Sequence, residues 1–167
     1  FLIDRLAVQL RDQGVRHDYI NASRDWNGQI DMRLDRIEAR ARALSRFLAS
    51  EDGANLLAGY KRAANILKKE EWDSAESKAL SYMPAPAEAA LIEALDAAEP
   101  SAASAIQLED FEAAMAALAS LRAPIDTFFE NVTVNDQNTD KREARLALLG
   151  RFRNAVPRVA DFGRIEG

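Results

Sequence analysis

The sequence predicts an all-α fold, on three observations. Ala, Leu, Arg and Glu dominate a chain with only 7 Gly and 5 Pro, and these residues lose little freedom in a helix. Apolar side chains recur every three or four positions along most of the 167 residues, the period of one helix face. No stretch alternates apolar and polar side chains for long enough to make a dependable strand; Val132-Thr133-Val134 is too short.

Residues 1–13 place Leu2, Ile3, Leu6, Ala7 and Leu10 on one face, and Gly14 follows where a helix end favours glycine. Residues 15–22 read as a second short helix or turn, and Asn27-Gly28 is a turn signal. A long helix over 31–49 turns Leu34, Ile37, Ala41, Leu44 and Leu48 inward. Asp52-Gly53 interrupts it, with Ser50 or Asp52 as cap of the next helix. That helix, 53–69, buries Leu56, Tyr60, Ala63 and Leu67. Residues 72–85, polar and irregular with Pro84 followed by Pro86, read as a loop with room for one helical turn.

An Ala-rich helix over 87–98 is expected to end at Glu99-Pro100. Ser104 and Gln107 have capping-box spacing and open a helix over 108–121 with Leu108, Phe111, Met115, Leu118 and Leu121 inward. Ala123-Pro124 restarts a short helix through Phe128 and Phe129. Residues 132–138 form a connector. Asp140 and Glu143 again have capping-box spacing, before a last helix over 140–156 whose core face is Leu146, Leu149, Phe152, Val156 and Val159. Pro157 should kink or split it. Residues 1–167 read as one domain with an acidic excursion near 70–107. Phe1 already stands inside an apolar-periodic segment, which reads as a fragment of a longer protein.

Composition removes several function classes. No run of about 18 apolar residues exists, so no membrane-spanning helix is expected, and no signal peptide is visible. The chain has no cysteine and one histidine. Disulfides, thiolate metal sites, histidine-based triads and multi-histidine metal sites are therefore excluded. There is no Gly-rich phosphate loop. Carboxylate pairs such as Glu51-Asp52 and Glu70-Glu71 read as solvent-facing. No metal, nucleotide or covalent cofactor is expected in this chain.

Net charge is −5, but it is unevenly spread. Residues 1–72 carry 13 Lys/Arg against 11 Asp/Glu, residues 73–140 carry 2 against 13, and residues 141–167 carry 7 against 3. Local charge decides where a polyanion docks. At about 100° per residue, Lys61, Arg62, Asn65, Lys68 and Lys69 share one arc of the 53–69 helix, opposite its apolar stripe. The arc is either a solvated face with an incidental Asn, or a phosphate-gripping stripe with a base-reading amide at its centre. A buried Asn65 holding a neighbouring carbonyl is a third possibility. A weaker cluster is Arg11, Arg16, His17 and Arg24. His17 fits a base or phosphate contact, a helix cap or a plain surface residue. Arg33, Arg36 and Arg40 form a further basic strip or a snorkelling flank of the core. Phe128-Phe129 is either a stacking platform or core.

Three segments carry a resemblance to a known family. "FLIDRLAVQLRDQGVRHDYINA" (1–22) resembles the start of the C-terminal anticodon-binding region of the glycyl-tRNA synthetase β subunit. "GANLLAGYKRAANIL" (53–67) is similar to that region's most recognisable segment. "FFENVTVND" (128–136) with "RLALLGRFRNAVPRVADFGRIEG" (145–167) resembles its C-terminus. The segments stand in the family's order; residues 70–107 match least, as a lineage-variable excursion. Pro157 departs from the uninterrupted helix of the family pattern.

The resemblance implies a helical bundle of the class Ia type, related to the anticodon-binding domain of arginyl-tRNA synthetase. It implies a cytoplasmic α2β2 ligase whose α subunit activates glycine with ATP and Mg, while this chain binds the anticodon arm of glycine tRNA and makes no bond itself. Glycine codons begin with two guanines, so the anticodon presents two cytosines. The donors expected to read them are Asn65, Arg62 and Lys61, with Arg16 and His17 as second choices. Lys68 and Lys69 would hold phosphates, and no acceptor is assigned. The rival reading is a helical interaction domain whose acidic surface, 86–121, docks the α subunit or the rest of the β subunit. A tRNA reader needs the 61–69 arc to face a basic concavity; a docking domain needs an exposed apolar patch.

Overall fold

The computed structural model describes residues 2–26, 29–73 and 79–165. Eight α-helices account for most of these residues: α1 (Leu2–Asp12), α2 (His17–Arg24), α3 (Leu34–Ala49), α4 (Glu51–Lys69), α5 (Pro86–Gln107), α6 (Phe111–Ala119), α7 (Arg122–Asn131) and α8 (Thr139–Ala155). The all-α expectation holds. Among the described residues the only β structure is an antiparallel pair of two-residue strands, β1 (Asp25–Trp26) and β2 (Gln29–Ile30). Asn27-Gly28, the expected turn, lies outside the described residues.

One hydrophobic cluster runs through all eight helices, from Leu10 to Ile165. α4 stands at its centre, packed against α3, α6, α7, α8 and the final 3-10 turn Phe162–Arg164. Its stripe is buried as expected, with Leu56, Ala63 and Leu67 fully enclosed. The direction of α4 is set by the corner at its start. Ser50 is both the end of α3 and the cap of α4: its Oγ accepts from the Gly53 amide at 3.1 Å and donates to the Phe47 carbonyl at 2.5 Å. Gly53 is buried there, and a Cβ on it would stand 1.9 Å from the Phe47 carbonyl oxygen. Only glycine lets the two helices meet so closely.

The 31–49 helix begins three residues late, at Leu34, because Asp31 has another task. Its buried carboxylate accepts from Arg36 Nε at 2.6 Å, Arg40 Nη2 at 3.1 Å and the Arg33 amide at 3.0 Å. Arg40 is fully buried; it donates to the Ser23 carbonyl at 2.5 Å and stacks over Phe111 at 5.1 Å. Arg33 and Arg36 both reach Glu109 as well. Arg33, Arg36 and Arg40, read as a basic strip or a snorkelling flank of the core, therefore form a clamp joining α2, α3 and the α5–α6 turn, buried at Arg40 and exposed at Arg33. Burial alone would raise the Asp31 pKa, but the Arg36, Arg33 and Arg40 hydrogen bonds outweigh it and hold it at about 2.

Two expected boundaries were displaced. α5 runs unbroken past Pro100 to Gln107. Pro100 lies on its exposed side, and the buried stripe Leu91, Leu95, Ala98, Ala102 and Ala105 continues beneath it. A helix stopped at Glu99 would uncover the last two. The chain turns instead at Glu109, whose φ is +57, and Asp110 caps α6 by accepting from the Ala113 amide at 3.0 Å. Ser104 is not a cap, and Leu108 is 78% exposed rather than inward. Likewise Asn138, not Asp140, caps α8, accepting from the Lys141 amide at 3.2 Å.

The remaining expectations divide. α8 stops at Ala155 and Val156–Arg158 forms a 3-10 turn around Pro157, with Val159 and Phe162 buried. α1 packs chiefly on α2 and α3, and just Leu10 of its five apolar positions is buried while Leu2 is 61% exposed. Glu70 is not solvent-facing: it is half-buried and bridged to Arg142 of α8.

Gly53→Ala should lower stability by at least about 3 kcal/mol, read as a drop in urea midpoint; an unchanged midpoint would show that the corner tolerates a Cβ. Asp31→Ala strands a buried guanidinium and should remove about 3–5 kcal/mol. Because the Asp31 pKa is depressed when folded, its contribution of about 2 kcal/mol is present above pH 4. It is lost as pH falls towards 2. Wild-type protein should show that loss in acid titrations of the melting temperature, and Asp31→Ala should not.

Candidate nucleic-acid interface

The four neighbours of α4 enclose one side of it, so the opposite side faces solvent. Arg62, Asn65, Lys68 and Lys69 are exposed there and Lys61 is half-buried. Asn65 therefore has no buried structural task. Lys68 and Lys69 occupy the last turn, where they also favour the helix dipole; that alone requires neither Arg62 nor Asn65.

What isolates this face is the pairing of charge elsewhere. The acidic middle of the chain is turned onto its basic ends. Arg151 of α8 binds Glu99 at 2.8 Å and Asp96 at 2.6 Å. Arg33 binds Glu109 at 2.6 Å, and Arg46 bridges Glu112. Arg145 binds Glu88 at 2.8 Å, Asp136 at 3.0 Å and the Thr133 carbonyl at 2.6 Å. Tyr82 donates to the same Glu88 at 2.6 Å, and burial together with that bond pushes its phenol up to about 12. Arg62, Lys68 and Lys69, by contrast, form no ion pair among the described residues. The positive charge left uncompensated by the fold thus includes a cluster on α4.

Arg62 is held by an aromatic ring instead. Its guanidinium lies 4.4 Å from the centroid of Phe129 on α7, a cation–π distance. Phe129 is half-buried and meets fully buried Phe128 edge-on, with centroids 6.0 Å apart and rings at 71°. The two neighbouring aromatics therefore split: Phe128 is core and Phe129 is a surface plate. Two clefts flank the pair. One, of about 260 Å³, is lined by Arg62, Ile66, Lys69, Glu70, Phe129 and Asn135 among others. The other, of about 200 Å³, is lined by Asn55, Ala58, Gly59, Arg62, Asp126, Phe129 and Glu130. Sequence periodicity found the α4 face but could not place α7 beside it.

The second cluster is not assembled in the same way. Arg16 is engaged with Asp18 at 2.6 Å and lies over the Tyr19 ring at 4.7 Å. His17 opens α2, exposed, with Nε2 3.1 Å from Asn21 Nδ2. α2 and α4 share α3 and the Phe162–Arg164 turn as common neighbours. Arg16 and His17 belong to a separate surface element from the 61–69 arc. On the rival surface, Leu108 is the one large hydrophobic residue of 86–121 that is exposed, which is no apolar patch. Among the described residues no group of three or more His, Asp or Glu is placed to hold a metal, and no helix is long and apolar enough to cross a membrane.

Comparison with known proteins shows the family. The family described as the DALR anticodon binding domain matches residues 56–158, from α4 to the Pro157 turn. Curated relatives align with the whole chain. A glycine–tRNA ligase beta subunit of Ruegeria sp. (strain TM1040) is 51% identical over 171 aligned positions. The same subunit of Paracoccus denitrificans (strain Pd 1222) is also 51% identical, and that of Phenylobacterium zucineum (strain HLK1) 48%. The chain spans about a quarter (25%) of the length of these relatives.

Proposed function

The chain belongs to the DALR anticodon-binding domain family, and from that premise we propose that it binds the anticodon arm of glycine tRNA for a cytoplasmic glycine–tRNA ligase. The observation that carries the proposal is the exposed α4 face, where Arg62, Lys68 and Lys69 have no ion pair among the described residues and Asn65 stands between them. A polyanion gains most where the protein's own carboxylates have not already neutralised the cations. The relatives' name adds the amino acid.

In this reading Lys68 and Lys69 hold phosphates and set the register of the loop, while Arg62 and Asn65 face base edges. Lys61, half-buried, supports the charge. Arg16 and His17 lie on α2 and extend the contact only if the arm is long enough to reach a second surface. Glycine activation with ATP and Mg falls to the partner α subunit, so this chain selects the tRNA and forms no bond. It brings no metal, nucleotide or other cofactor of its own to the reaction.

Salt titrations of binding to glycine-tRNA anticodon stem-loops test the assignment. Lys68→Ala and Lys69→Ala should each weaken cytosine and uridine loops alike and reduce the slope of log K against log salt by about 0.7. Asn65→Ala and Arg62→Ala should instead reduce the preference for cytosine by about 1–3 kcal/mol. An Asn65→Ala, Arg62→Ala double variant that stays folded and keeps its cytosine preference would leave the arc a phosphate grip alone.

A further inference from the structure

We propose that the cleft between α4 and α7, lined by Asn55, Arg62, Phe129 and Glu130, is a pocket for a single unpaired cytosine, with Glu130 as the acceptor for its amino group. This inference rests on the anticodon-arm reading and deepens it by naming the base and the group that selects it. The cleft holds about 200 Å³, enough for one nucleobase. Its floor is where α4 and α7 approach closely: Gly59 is buried, and a Cβ there would meet Ile125 Cγ2 at 3.3 Å.

Chemistry selects the base. The Watson–Crick edge of cytosine offers one amino donor and two acceptors. The cleft offers a carboxylate acceptor on Glu130, amide groups on Asn55 and guanidinium donors on Arg62. Uracil presents a carbonyl where cytosine has its amino group, and that carbonyl would meet the Glu130 carboxylate with no proton between them.

Glu130 is distinguished from the other nearby carboxylates by its freedom. It is exposed and has no hydrogen bond or ion pair among the described residues. Asp126, in the same cleft, lies 3.2 Å from Arg122 Nε. Glu70, in the neighbouring cleft of about 260 Å³, is bridged to Arg142. The Asn55 side of the Arg62–Phe129 pair therefore combines an uncommitted carboxylate with donors, which the Glu70 side does not. Phe129 gives the cleft an aromatic wall able to accept a base face, and it holds Arg62 at 4.4 Å with its donors left for the base edge. Phe128, buried beneath Phe129 at 6.0 Å, keeps that wall fixed.

The test measures affinities of the full-length protein for glycine-tRNA anticodon stem-loops carrying cytosine or uridine at each of the two invariant cytosine positions. Glu130→Gln retains shape and folding but adds an amide donor able to pair with the uracil carbonyl. It should lower the cytosine-over-uridine ratio at one of the two positions at least about tenfold, leaving the ratio at the other unchanged. Phe129→Leu should weaken cytosine and uridine loops equally. If Glu130→Gln leaves both ratios unchanged while Lys68→Ala still weakens binding, the pocket assignment is overturned and the anticodon-arm reading survives. If the wild-type protein binds the loops with no cytosine preference, or does not bind them, both fall together.

Discussion

The α3–α4 corner is the constraint on which the rest of the molecule depends. A helix that must bury Leu56, Tyr60, Ala63 and Leu67 against four neighbours can present only one face to solvent. Which face that is follows from the angle at which α4 leaves Ser50. The Ser50 side chain ties the two helix ends together, and the missing Cβ of Gly53 lets the Phe47 carbonyl sit where any other residue would collide with it. Rotating α4 by a quarter-turn would push Arg62 off Phe129 and turn the basic arc into the core. Backbone geometry at one glycine thus reaches, through side-chain packing, to the surface proposed to meet the anticodon arm.

Charge is organised by the same packing. The chain is net acidic, an unpromising total for an RNA-binding module. The fold resolves this by turning the carboxylates of α5 and α6 onto arginines of α3 and α8, as in Arg151 with Asp96 and Glu99 or Arg46 with Glu112. These pairs use arginine, whose planar fork makes two directed bonds. The lysines Lys68 and Lys69, flexible point charges, stay on the surface, where they suit phosphates met in varied geometry. Pairing at the surface contributes little stability; its consequence here is the placement of what remains unpaired.

Much of this was legible in the sequence, and the failures have physical causes. The α4 stripe, its opposite arc and the break at Pro157 all follow from helical period and proline geometry, which are local. Pro100 misled because its helix-breaking tendency is a local preference, and the buried stripe from Leu91 to Ala105 overrode it. The caps at Asp110 and Asn138 lay a few residues from the chosen capping boxes, since several polar residues cluster at each boundary and only the chain direction decides among them. The sequence left Arg40 between a basic strip and a snorkelling flank, because its partner, Asp31, stood in what looked like the same helix. The α7 side of the interface was invisible for a different reason. Period and composition describe one helix at a time, and the contact of Phe129 with Arg62 exists only once two helices are packed. The periodic pattern did place Phe128 and Phe129 on a short helix, and only the packing separates buried core from exposed plate.

Hydrogen–deuterium exchange of the full-length protein, with and without a glycine-tRNA anticodon stem-loop, tests the central claim most directly. The α4 surface and the facing α7 segment should be protected on binding, with the effect strongest over residues 55–69 and 126–135. Residues 86–107 of α5 should exchange as they do in the free protein. Protection confined to α5 and α6, with α4 and α7 unchanged, would contradict the account and place the working surface on the acidic side of the molecule.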